Sequence, residues 1–352
     1  CHSVLGEGGR TAPDLARAPG GHLSSAEMLA AMWNHAPAMW EKMRVEGVPP
    51  PNFSEAEMAN LFAFLYSVRS LDEPGDPDRG KLLLSQKKCL ECHSVGGQGG
   101  RIGPDLKTWT SYRNPVAWIQ AMWNHAPAMQ RALAARGVAW PQFAGNDVAD
   151  LIAYIRTLAP NPKARVYVRA ADPESGRRLF EQKGCVKCHA IAGHGSSRAP
   201  NLGTHELPRT LGQFAGEMWN HAPIMRASMQ AQQVSRPEFS NKEMADLISY
   251  LFAQRYFEVS GNAARGRRVY TEKGCDSCHT LGSGSGRGPD LTHSGAAPIS
   301  IATALWNHGP MMLQTMHQQQ VVWPRFQPGE IVDLLEFLNR ARTAPVQAGV
   351  KR

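Results

Sequence analysis

The chain has 352 residues, too many for one small core and enough for three or four compact domains. Its formal charge of +8 is spread without a long Lys/Arg run or a nucleic-acid motif, so nucleic acid is excluded as the expected partner. No apolar run approaches the ~18–20 residues of a spanning helix, so no transmembrane segment is expected in this chain.

The chain opens on Cys1-His2, followed by Ser-Val-Leu-Gly-Glu-Gly-Gly-Arg10. The stretch from Cys92 to Arg101 reads almost the same, which places Cys1 as the second cysteine of a C-x-x-C-H motif. The natural polypeptide is therefore expected to extend upstream, with a helix, another cysteine and a signal peptide; a lipid-bearing N-terminal cysteine is the alternative. Pro13-Asp14-Leu15 follows, then a helix of 3.6-residue apolar spacing running into Trp33-Asn34-His35. After Pro37 a short further helix is expected, then Pro51-Asn-Phe53 and an amphipathic closing helix with Leu61 inward.

A linker over 71–78 leads to a second copy. Its opening helix spans 77–87 and carries Gly80, and Cys89-Leu-Glu-Cys92-His93 follows. A glycine-rich loop reaches Pro104, and the middle helix is expected to stop near His125, with a new helix starting at Pro127. Pro141-Gln-Phe143 and a closing helix over 147–158 end the copy. After the linker over 159–172 the pattern recurs with Gly176, Cys185-Val-Lys-Cys188-His189, Trp219, Pro237 and a closing helix over 242–252. After the linker over 254–262 it recurs again with Gly266, Cys275-Asp-Ser-Cys278-His279, Trp306 and Pro324, and the tail beyond 341 is expected to fray.

The four tryptophans of Trp-Asn-His are 90, 96 and 87 residues apart, so one unit is about 90 residues. The expected domains are 1–72, 73–160, 161–256 and 257–352, all helical, with short linkers that keep neighbours packed. Two thiols at C-x-x-C spacing can each form a thioether to one porphyrin, and the adjacent histidine then falls beneath the iron. The cysteines Cys1, Cys89, Cys92, Cys185, Cys188, Cys275 and Cys278 and the axial histidines His2, His93, His189 and His279 thus predict four covalent c-type haems. A zinc site or redox dithiol fits less well, because every intact pair runs directly into histidine and no cysteine lies outside the motifs.

This order of helix, C-x-x-C-H, Pro-Asp/Asn-Leu, middle helix and closing helix resembles class I cytochrome c, over almost the whole chain and four times. The resemblance implies an all-α fold of four tandem class I-like domains, each with one haem. It implies that the carbonyls of Pro13, Pro104, Pro200 and Pro289 accept from the axial histidines, fixing the rings and raising their donor strength. It implies an opening and a closing helix crossing at Gly80, Gly176 and Gly266, against Phe64, Tyr154, Tyr250 and Phe337. Arg10, Arg101, Arg198 and Arg287 correspond to a propionate-binding arginine, with ordinary surface charge as the rival reading.

The departure lies at the second axial ligand. The family's methionine before the closing-helix proline is replaced by Pro50, Trp140, Arg236 and Trp323. The candidates become Met39, Met129, Met225 and Met312, or else His35, His125, His221 and His308, four residues earlier; in a third reading both only pack and the iron stays open. Trp33, Trp123, Trp219 and Trp306 are read as haem-edge packing, with the N–H bonded to a propionate or a carbonyl. His22, His194, His205, His293 and His317 do not recur and read as surface residues.

The expected function is a multihaem electron relay between redox proteins, or as a subunit of a membrane-associated respiratory or photosynthetic complex. It is not expected to be an enzyme. The alternatives are a building block of an extracellular haem filament, with self-association, and a haem enzyme with one open iron. Covalent haem of this type implies a periplasmic or extracellular place, with membrane attachment through an upstream segment or a partner.

Overall fold

The computed structural model describes the chain except residues 18–23, 70, 72–73, 110–113, 159–170, 192, 204–207, 209, 258–260, 283–285, 293–296 and 344–352. The linker over 159–172 falls largely outside the described residues, as do His22, His205, His293 and most of the tail. Helices in chain order are α1 (Ser25–Val45), α2 (Glu55–Val68), α3 (Pro77–Gln86), α4 (Pro115–Ala134), α5 (Asp147–Thr157) and α6 (Pro173–Gln182). They continue as α7 (Leu211–Ala231), α8 (Asn241–Phe257), α9 (Ala263–Glu272), α10 (Pro298–Gln318) and α11 (Glu330–Thr343). The fold is all-α. The strands described are miniature antiparallel hairpins after the first three haem motifs, Ser3–Val4 with Glu7–Gly8, Ser94–Val95 with Gln98–Gly99, and Ala190–Ile191 with His194–Gly195.

Local chemistry sets the helix starts. Asp76, Asp172 and Asn262 cap α3, α6 and α9 by accepting from backbone N–H groups of the first turn, at 2.9, 3.0 and 3.0 Å for Asp78, Glu174 and Arg265. Each opening helix crosses its closing helix at a glycine. A Cβ on Gly80, Gly176 or Gly266 would run into the carbonyl of Asp150, Asp246 or Asp333. Those same aspartates, buried in α5, α8 and α11, accept the cap residue's own N–H at 2.7, 2.9 and 2.6 Å. The family aromatics complete two of the crossings: Phe180 meets Tyr250 with centroids 5.9 Å apart, and Tyr270 meets Phe337 at 5.7 Å. Phe64, at the corresponding place in α2, is 49% exposed.

The chain divides into two compact units, one of residues 1–67 and 255–352, the other of residues 68–254. The first unit joins the first repeat to the fourth; the second joins the second repeat to the third. In the first unit α1 packs on α10, and in the second α4 packs on α7.

The middle helices correct one expectation. They do not break at His-x-Pro: α1, α4, α7 and α10 run through Pro37, Pro127, Pro223 and Pro310. A proline inside a helix withdraws the N–H that would reach the carbonyl four residues back. Those carbonyls belong to Trp33, Trp123, Trp219 and Trp306. In three of them the paired repeat supplies a substitute donor: Trp323 Nε1 to Trp33 O at 3.2 Å, Trp140 Nε1 to Trp219 O at 3.0 Å, and the Arg236 guanidinium to Trp123 O. The donors occupy the positions where the family resemblance would place methionine. At the fourth such position stands Pro50, which has no N–H to give.

A reciprocal clasp flanks these bonds. Trp33 Nε1 donates to Pro324 O and Trp306 Nε1 to Pro51 O, both at 2.8 Å. Asn34 donates to Phe326 O at 2.9 Å and accepts Phe326 N at 2.8 Å; Asn307 donates to Phe53 O at 2.8 Å and accepts Phe53 N at 3.0 Å. The second unit repeats the set, with Trp123 to Pro237 O at 2.8 Å and Trp219 to Pro141 O at 2.7 Å. There Asn124 is bonded both ways to Phe239, and Asn220 both ways to Phe143.

Candidate haem-attachment sites

Each intact C-x-x-C-H folds as one tight turn. A left-handed residue leads in (Lys88 at φ 59°, Gly184 at 81°, Gly274 at 71°). The histidine N–H then donates to the first cysteine's carbonyl, at 2.9 Å in all three. The i, i+3, i+4 spacing brings both sulfurs and the imidazole out on one side. None of the seven cysteines is joined to another in a disulfide, and burial pushes the thiols of Cys89, Cys185 and Cys275, before any attachment, each up to about 11.

The axial imidazoles are oriented alike. Nδ1–H donates to the carbonyl of Pro13 from His2 at 2.8 Å, and to Pro104, Pro200 and Pro289 from His93, His189 and His279 at 2.9 Å each. A carbonyl can only accept, so the proton sits on Nδ1 and Nε2 carries a bare lone pair. The ring needs a small neighbour: a Cβ on Gly103 would meet the His93 imidazole, and one on Gly288 the His279 imidazole. The loop below is held by carboxylates. Asp105 accepts the N–H of Gly96 at 3.0 Å and of Gly97 at 2.7 Å, and Asp14 accepts Gly6 N at 2.7 Å.

The C-terminal end of the middle helix reaches the motif in the first and third repeats. His35, His125 and His221 turn Nδ1–H back to their own helix, onto Ala31, Ala121 and Glu217 carbonyls at 2.8 Å. All four of these helix histidines, His308 included, are exposed, whereas Met39, Met129, Met225 and Met312 are half-buried. Seven residues beyond the methionine, two helical turns along the same face, the chain returns to the haem motif. There Gln232 Nε2 lies 3.8 Å from Cys188 Sγ, and Glu46 Oε2 lies 3.7 Å from Cys1 Sγ. Met39 and Met225 therefore share a helix face with the residue that touches the second cysteine, as do His35 and His221 one turn earlier.

The four arginines are exposed, and two reach this same helix end: Arg198 donates to Gln232 Oε1 at 2.6 Å and Arg287 to Gln319 Oε1 at 2.8 Å. Of the two acceptors expected for the tryptophans, the structure shows the carbonyl. The indole N–H groups of Trp33, Trp123, Trp219 and Trp306 go to carbonyls of the paired repeat, not to a propionate. His194 is 73% exposed beside Glu181, and His317 is exposed in the last turn of α10. The sequence reading missed Asn34, Asn124, Asn220 and Asn307 altogether. The fourfold recurrence of Asn beside Trp, and of Pro-x-Phe, was the signal that could have found them.

Among the described residues no group of three or more His, Cys, Asp or Glu side chains is gathered for a bare metal ion. Paired thiols beside an oriented imidazole lone pair instead fit a haem bound through two thioethers and a proximal nitrogen. That donor set defines a class, the covalent haem domain. Residues 77–159 and 173–253 each match the family Cytochrome c. These two segments are c-type cytochrome domains in tandem, which supports a haem-binding, electron-transfer function. No curated protein and no solved structure matches it. Among the described residues no helix is long and apolar enough to cross a membrane.

Proposed function

We propose that the chain is a four-haem relay, passing single electrons between redox partners outside the cytoplasm. One observation carries the count. The histidine-to-proline bond that orients the proximal imidazole occurs in all four repeats at 2.8–2.9 Å, including the two outside the matched segments. Haem, when bound, supplies an iron that changes by one electron. Cys89/Cys92, Cys185/Cys188 and Cys275/Cys278 hold it through thioethers, with Cys1 as the second cysteine of the first site. His2, His93, His189 and His279 offer Nε2, and the proline carbonyls keep each ring from turning.

Met39, Met129, Met225 and Met312 complete the opposite side in this reading. They are half-buried, while the histidines one turn earlier are exposed. With a histidine nitrogen and a methionine sulfur both held to the iron, no position would be left for a substrate, and the protein would carry electrons rather than turn over a small molecule. The partners are other redox proteins or a membrane electron-transfer complex.

Two measurements on the purified holoprotein test this. An alkaline pyridine haemochrome assay against protein concentration should give four haems per chain; two would confine haem to the matched segments. A spectroelectrochemical titration should show low-spin haems at positive potential with the red charge-transfer band of methionine-bound ferric iron. Negative potentials without that band would put His35, His125, His221 and His308 on the irons instead.

A further inference from the structure

The repeats are built into two pairs, and the first is paired with the fourth, not with its neighbour in the chain. The helix that carries the methionine of one repeat packs directly on the helix that carries the methionine of its mate, α1 on α10 and α4 on α7. In the second unit the residues just after the two methionines meet: Arg226 donates to Gln130 Oε1 at 2.6 Å. The ordinary family position for a methionine has been given to the mate. Trp323, Trp140 and Arg236 each send their donor across to the proline-freed tryptophan carbonyl. Aromatic rings bridge the seam. Trp140 stacks on Trp219 with centroids 4.0 Å apart and planes 20° apart, and Trp33 meets Trp323 at 4.9 Å. The Arg236 guanidinium sits 4.4 Å over Trp123.

We propose that electrons exchange within these pairs, first repeat with fourth and second with third, across the tryptophan–asparagine clasp. This rests on the four-haem reading and adds to it which sites are partners. The exchange is one electron: one site is oxidised as its mate is reduced, with no proton and no further reagent. Pairing through two methionine-bearing helices also ties the redox state of one site to the ligand geometry of the other. A shift of α1 that moves Met39 is felt by the segment 323–326 through Trp33, Asn34 and the Trp323 indole, and by α10 through Trp40 against Gly309 and Trp306.

The test uses the full chain with Cys89→Ala, Cys92→Ala, Cys185→Ala and Cys188→Ala, leaving attachment cysteines only in the first and fourth repeats. Haemochrome analysis is read first. Two haems per chain are expected, and haem missing from these repeats would sink the four-haem reading, not the pairing. Pulsed dipolar EPR of the oxidised protein should then show one close iron pair, and adding Asn34→Ala with Asn307→Ala should lose that coupling with the haem count unchanged. Two loaded irons with no dipolar coupling, or coupling indifferent to the clasp, would overturn the proposal. If the quadruple variant does not fold, the same spectroscopy on the unaltered holoprotein decides. Two close pairs, both loosened by the four asparagine-to-alanine substitutions at 34, 124, 220 and 307, support it; the absence of any close pair refutes it.

Discussion

The two units share the clasp and fill the space behind it differently. In the second unit the residues seven beyond the clasp tryptophans are Gln130 and Arg226, a polar pair bonded to each other. In the first unit the same positions are Trp40 and Leu313. Trp40 is 6% exposed and lies with its ring against Gly309, at the place where the other three repeats carry Ala36, Ala126 and Ala222. It also packs edge-on to Trp323 at 5.7 Å and lies 6.2 Å from Trp306. One seam is thus a knob in a glycine hole and the other a hydrogen-bonded polar contact. Identical backbone bonds cannot tell one repeat from another; these side chains can. Trp40 finds room only opposite a glycine, so the pairing of first with fourth is encoded in two residues.

The largest test of that difference is Trp40→Ala. Emptying a buried indole costs about 3–5 kcal/mol in well-packed sites. Thermal unfolding of the holoprotein should show a loss of that order, while Gln130→Ala at the matching place in the second unit should cost well under half as much. Equal losses would mean the knob is not what joins the first unit. Next comes Gly309→Ala, one added methyl that Trp40 cannot clear. Overpacking of this kind costs about 1–3 kcal/mol. The triple change Trp40→Gln, Leu313→Arg and Gly309→Ala, which copies the polar seam, should recover part of the loss.

The clasp itself should behave alike in both units. Asn220→Ala and Asn307→Ala each remove a donor to one phenylalanine carbonyl and an acceptor for the same residue's N–H. Leaving such partly buried groups unpaired costs about 1–3 kcal/mol. Denaturant midpoints for the two variants should fall together, and a marked inequality would show that one unit relies on its side-chain seam more than on its clasp.

The sequence made some of this legible and hid the rest for a physical reason. Periodicity and punctuation placed the opening, middle and closing helices, and the family resemblance implied the three glycine crossings, because those are properties of one repeat. The motif turn and the His-to-Pro bond were also within one repeat. The unbroken helices at Pro37, Pro127, Pro223 and Pro310 were not legible, because the donor that replaces the missing N–H comes from about 80–290 residues away. The same distance explains the tryptophans. Their conspicuous recurrence beside histidine suggested a cofactor wall, yet their N–H groups serve the paired repeat. Repetition reports that a position matters to every copy; it does not say whether the copy or its mate uses it.

The smallest expected effect concerns acid and compares the loops beneath the proximal histidines. In the first repeat Asp14 accepts from Leu5 N at 3.2 Å, Gly6 N at 2.7 Å, Ala16 N at 2.9 Å and Ser3 Oγ at 2.9 Å. Desolvation alone would raise its pKa, but the bonds from Gly6, Ser3, Ala16 and Leu5 outweigh it and hold the group down to about 2. A depressed carboxylate contributes stability above its ordinary value, and that contribution is lost as pH falls through the folded value. The His2 loop should therefore keep its bonds until pH approaches about 2 and then loosen. The third repeat carries Asn201 at the same place, bonded to Gly203 N at 2.9 Å, and an amide has no proton to gain there. NMR titration should find the Gly6 amide moving with a midpoint near 2 and the Gly203 amide still. A Gly6 midpoint at the ordinary carboxylate value of 3.8 would show that the loop does not grip Asp14 as the geometry requires.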